Sequence, residues 1–67
     1  MTIRTFVANL PASTLEAYAA TDPSEQFEFA RDLCLSDEAP CGDYPTMDHY
    51  DAMEIALDDR ATEMGIF

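Results

Sequence analysis

The sequence contains no lysine, and its only firm cations are three arginines set against fourteen Asp and Glu. The formal net charge is −11. So little positive charge argues against nucleic acid as a direct partner, because the DNA backbone is itself a dense line of phosphates. It argues equally against anionic membrane surfaces. Such a field attracts a basic surface, and most large basic surfaces in cells belong to proteins that bind nucleic acid.

Other scarcities narrow the chemistry. Glycine occurs only at Gly42 and Gly65, so there is no Gly-rich loop to cradle a phosphate. The acids never alternate in the order that a calcium-binding helix–loop–helix requires. His49 is the single histidine, and no Ser, Cys or Tyr stands at a spacing that marks an activated nucleophile. Cys34, Cys41 and His49 match no recurrent zinc-ligand spacing. Two cysteines do not make a secreted disulfide framework; they can close a short loop, and a reducing compartment keeps such thiols free. The expectation is a chain without catalytic residues, metal or cofactor. No apolar run spans a membrane and no basic-then-apolar signal segment opens the chain, so a cytoplasmic location is expected.

What is present is enough to fold. Of 67 residues, 48% are hydrophobic, too many for a disordered acidic tail. Residues 1–67 read as a single acidic domain with one modest core, of roughly 3–5 kcal/mol net stability at this size.

Residues 2–8 are rich in β-branched and aromatic types and read as a strand. Three helix starts follow, at Ser13 with Glu16, Asp22 with Glu25, and Asp51 with Glu54, each a capping residue three positions before a Glu. Pro23 suits the first position of the second helix. The helices are expected at about 14–20, 23–34 and 52–64, the last stopped by Gly65. Their apolar stripes are Leu15, Tyr18 and Ala19; Phe27, Ala30 and Cys34 widened by Phe29 and Leu33; and Met53, Leu57, Ala61 and Met64. Residues 36–45 form a loop. Residues 45–50 read either as a second strand antiparallel to 2–8, or as an earlier start to the third helix with Thr46 as cap. The strand is preferred because 2–8 otherwise lacks a ladder partner. Ile66 and Phe67 offer a further pairing segment. The fold class expected is α+β: about three helices packed on a short antiparallel sheet.

The acids fall in rows. At about 100° per residue, Glu25, Glu28 and Asp32 share one side of the second helix. On the third, Asp51, Glu54 and Asp58 line one edge of the polar face, and Asp59 and Glu63 the other. Each row advances about 4.5–6 Å per charge along its axis, close to the roughly 6–7 Å between successive phosphates of a DNA strand. Acidic helix faces are usually solvated faces, and a salt-adapted cytoplasm would favour them. Against that, native surfaces mix both signs, and like charges three or four apart cost a helix a few tenths of a kcal/mol per pair. Ile55 falls between the two acidic edges. It either packs under the N-terminal strand, the preferred reading, or stands exposed as an interface anchor.

The stretch Ile3-Arg4-Thr5-Phe6-Val7-Ala8-Asn9-Leu10 resembles the opening strand of ArdA-type antirestriction proteins. Asp37-Glu38-Ala39-Pro40, followed by Met47-Asp48-His49-Tyr50-Asp51, is similar to a later acidic stretch of that family. In size, acidity and lack of a catalytic motif the chain also resembles small phage-encoded anti-CRISPR proteins directed at type I systems, including type I-C. These resemblances imply a DNA mimic that blocks target-DNA binding by a CRISPR surveillance complex (Cascade). The partner, in a host bacterial cell, would be its basic DNA-binding surface. The helical-wheel rows, and not the resemblance, supply the contacting residues: Glu25, Glu28, Asp32, Asp51, Glu54, Asp58, Asp59 and Glu63. The alternative is an antitoxin-like or adaptor module that neutralises another basic nucleic-acid-binding protein.

Overall fold

The computed structural model describes residues 2–36, 38–42 and 44–67. Four helices run through it: α1 (Ile3–Ala8), α2 (Ala12–Ala20), α3 (Pro23–Cys34) and α4 (Met47–Glu63). Among the described residues there is no strand. The expected α+β fold is therefore corrected to an all-helical one.

The first correction is at residues 2–8. Composition favours a strand there, but spacing favours a helix: Ile3, Phe6, Val7 and Leu10 recur at i, i+3, i+4 and i+7. A strand would turn Phe6 and Val7 to opposite faces, whereas both are buried in the same core. The Thr2 hydroxyl accepts from the Thr5 N–H at 3.1 Å and caps the helix start. Tertiary burial outweighs the β-branched residues' weak preference, worth at most about 0.7 kcal/mol each.

The second correction is at 45–50, where the helical alternative holds. Thr46 is the N-cap of α4, and its N–H donates to His49 Nδ1 at 2.9 Å. The histidine ring thus takes the reach-back role that Glu or Gln fills in a capping box. Asp51 consequently lies inside α4 and does not cap it. Ser13 likewise lies inside α2, whose N-cap is Pro11 with no side-chain cap bond. Asp22 does cap α3, accepting from Ser24 N at 3.0 Å and Ser24 Oγ at 2.8 Å, with Pro23 following. These bonds, the backbone one foremost, hold the Asp22 carboxyl below its usual range.

The end of α4 is as expected. Gly65 adopts a φ of 73°, and the Gly65 and Ile66 N–H groups donate to Thr62 O and Ala61 O. That is the paired closure of a helix by a left-handed residue. Ile66 and Phe67 are not a pairing strand: Ile66 packs on the core and the Phe67 ring lies 6.1 Å from that of Tyr18.

Helix α4 is the hub, packing against α1, α2 and α3. Val7, Leu15, Tyr18, Ala30, Cys34, Met53, Ala56, Leu57 and Ala61 are buried around it. Full burial of a Leu or Met side chain contributes about 1.5–3 kcal/mol, so Leu15, Met53 and Leu57 carry much of a core this small. Met64, expected in the stripe, is exposed. No described helix is long and apolar enough to cross a membrane.

Candidate functional site

The α3 row is fully presented. Glu25, Glu28 and Asp32 are all exposed, opposite the buried Ala30 and Cys34. None of the three takes part in an ion pair among the described residues. Glu25 also sits in the first turn, where the helix dipole favours an acid. Over seven residues the row rises about 10.5 Å.

The two acidic edges of α4 have a different fate, because other helices reach them. On one edge the Tyr18 hydroxyl of α2 donates to Asp58 Oδ1 at 2.7 Å. Burial first, and then this hydrogen bond and the charges of Asp58 and Glu54, push the Tyr18 phenol above its ordinary value. On the other edge Arg4 Nη2 of α1 donates to Asp59 Oδ2 at 2.7 Å, and Arg60 Nη1 stands 3.4 Å from Glu63 Oε2. The Arg4–Asp59 pair is open to solvent and the Arg60–Glu63 pair partly so, and each contributes at most about 1 kcal/mol to stability. Asp58, Asp59 and Glu63 are thus engaged within the chain. Asp51 is exposed and Glu54 half-buried, and neither has a cationic partner among the described residues.

The rows on α3 and α4 do not share one face. Helix α3 meets α4 through Phe27 and Tyr50, whose rings are 5.9 Å apart, and through Cys34, whose Sγ donates to the His49 carbonyl at 3.5 Å. Ile55 lies about 140–160° round the α4 axis from Tyr50 and Met53. The open stripe of α4 therefore points away from α3, and the outer row of α3 points the other way.

That open stripe corrects the reading of Ile55. Instead of packing under an N-terminal element, its side chain is 58% exposed. Its helical neighbours at i±3 and i±4 are Asp51, Ala52, Asp58 and Asp59. Met47, two turns earlier, is 59% exposed, and Asp48 beside it is exposed as well. Reading 45–50 as a strand hides Met47 and Asp48 as surface residues; the spacing of Met47 and Tyr50 after a capping Thr46 is the signal that places them on a helix.

Between α1 and the second half of α4 lies a groove of about 310 Å³, lined by Arg4, Val7, Ala56, Asp59, Arg60 and Glu63 among others. Arg60 Nε is buried there without a hydrogen-bond partner among the described residues.

The residues weighed as a zinc set have other contacts: the His49 ring faces Thr46, and Cys34 faces the His49 backbone. Cys34 and Cys41 are buried free thiols. Burial, with the adjacent Cys41 thiol, pushes Cys34 up to about 12, so it is a structural, unreactive cysteine at neutral pH. Among the described residues no three metal-ligating side chains cluster.

The stretch that resembles the opening strand of ArdA-type proteins folds as α1, so that likeness does not extend to secondary structure. In the second stretch Asp37 lies outside the described residues, and Met47-Asp48-His49-Tyr50-Asp51 opens α4. Comparison with known protein families, with curated proteins and with solved structures finds no match to this chain.

Proposed function

We propose that this protein binds the basic, nucleic-acid-binding surface of a protein partner and keeps nucleic acid off it. The partner of first choice is the DNA-binding surface of a type I CRISPR surveillance complex. One observation carries the reading: Glu25, Glu28 and Asp32 stand in an exposed row on a rigid, capped helix, with no cation of this chain paired to them among the described residues. Charges about 4.5–6 Å apart along the row offer a basic groove nearly the phosphate interval. The surrounding charge of −11 steers such a partner in from a distance and raises its association rate. Of the α4 acids, Asp51 and Glu54 have no cationic partner among the described residues, while Asp58, Asp59 and Glu63 are already engaged.

The test is competition for target DNA on a purified type I surveillance complex, read by fluorescence anisotropy across a salt series. The chain should displace DNA, and its affinity should fall steeply between 50 and 300 mM salt as screening shortens the field's reach, which is about 8 Å at 0.15 M. The double substitution Glu28→Lys, Asp32→Lys should abolish competition while circular dichroism shows the helices intact. Competition that is flat with salt, or that survives the double substitution, would refute the mechanism.

A further inference from the structure

We infer that the open face of α4, centred on Ile55, docks a cationic amphipathic helix of a protein partner. The face presents Met47 and Ile55 along about 12 Å of helix axis, both more than half exposed. Asp48 and Asp51 stand beside them with no cationic partner among the described residues, while Asp58 and Asp59 at the far end are held by Tyr18 and Arg4. Ile is a poor choice for an exposed helix position, since its branched side chain loses rotamer freedom there and Ile55 gains little packing from the rest of the chain.

The occupant follows from charge and shape. A second copy of this chain would set Asp48 and Asp51 against their own counterparts and bring two charges of −11 together. A lysine- or arginine-bearing helix fits both features at once. Its methylene stems cover Ile55 and Met47 while its charged heads reach Asp48 and Asp51. Its apolar positions three and four apart pack against the ridge formed by Met47, Asp51, Ile55 and Asp59. The inference shares with the proposed function the premise that the partner is cationic, but it lies on the other side of the molecule from Glu25, Glu28 and Asp32.

The probe is a 14-residue Leu/Lys peptide with leucines at helical spacing, compared with a scrambled peptide of the same composition. Binding to the full chain is measured by anisotropy at 150 mM salt. The amphipathic peptide should bind at least about tenfold tighter than the scrambled one, and Ile55→Ser should erase that difference. Because Ile55 is exposed, the variant should melt as the parent does. Glu28→Gln with Asp32→Asn should leave peptide affinity within about threefold. Equal binding of both peptides, or a loss that follows Glu28 and Asp32 and spares Ile55→Ser, overturns the inference. A dimer that Ile55→Ser dissolves makes a second copy the occupant and overturns it too. A chain that displaces DNA but does not distinguish the peptides refutes this inference alone. One that distinguishes them through Ile55 but leaves DNA in place refutes the proposed function alone.

Discussion

Replacing Tyr18 by Phe removes one oxygen from the centre of the molecule and little else. The ring is fully buried and keeps its edge contact with Phe29, at 5.4 Å, and its approach to Phe67. No cavity larger than a hydroxyl is left. What disappears is the 2.7 Å bond to Asp58 Oδ1, which ties α2 to the hub helix. A hydrogen bond to an ionised partner contributes about 1.5–3 kcal/mol net. Asp58 is only half-buried and recovers some solvation, so the lower end, about 1.5 kcal/mol, applies. Against a total of roughly 3–5 kcal/mol for a domain of this size, that is about a third to a half of the stability. The melting temperature should fall by about 6–12 °C, at 4–8 °C per kcal/mol.

Urea and thermal melts followed by far-ultraviolet circular dichroism measure this directly. A double-mutant cycle with Asp58→Ala isolates the pair and should return a coupling near 1.5 kcal/mol. The alkaline limb gives a second readout. The folded state holds the Tyr18 proton more tightly than the unfolded chain does. Its contribution is therefore complete below about pH 10, the unfolded value, and is lost as pH rises beyond it. Stability should drop by up to about 1.4 kcal/mol per pH unit from this group, and the Phe variant should lack that share. Cys34, raised for similar reasons, continues to titrate in both proteins. Additive single mutants, or alkaline slopes that coincide with and without the hydroxyl, would show that the bond contributes nothing.

Two further substitutions probe the ends of α4. Thr46→Ala removes the hydroxyl that lies 3.1 Å from His49 Nδ1 at the helix cap, and should cost about 1 kcal/mol in urea melts. Gly65→Ala meets no neighbour within 4 Å but must hold a φ of 73°. It should cost about 1–2 kcal/mol from backbone strain alone, and Gly65→Asn less. An alanine at 65 as stable as glycine would mean that the left-handed closure is dispensable.

Features encoded by neighbouring residues are legible in the sequence. Asp22-Pro23 announced α3, Gly65 announced the end of α4, and the spacing of Leu15 with Tyr18 and of Met53, Leu57 and Ala61 marked residues that are buried. Where composition and spacing conflicted, composition misled. Thr2–Ala8 carries strand-like residues on a helical 3-6-7-10 pattern, and the pattern is what the core selects. The acid rows were legible as rows, because a helical wheel needs only the helix. Their partners were not. Tyr18 is 40 residues from Asp58 and Arg4 is 55 from Asp59, and no local rule joins positions that far apart. Only the packing of α1 and α2 on opposite flanks of α4 reveals that part of the acidic surface is already satisfied.

That division changes how the charge can act. A single flat basic groove cannot cover both the α3 row and the Ile55 face, since they point to opposite sides of the molecule. The α3 row presents three carboxylates over about 10.5 Å, a short contact whose attraction salt readily screens. Most of the −11 therefore acts at long range, on how fast a partner arrives. The Ile55 face adds what charge alone lacks, an apolar contact whose strength does not fall with ionic strength. A partner that uses only the α3 row should let go completely in high salt. A partner that also uses α4 should retain a residual affinity there, and that residue of binding, unlike the rest, should vanish with Ile55→Ser.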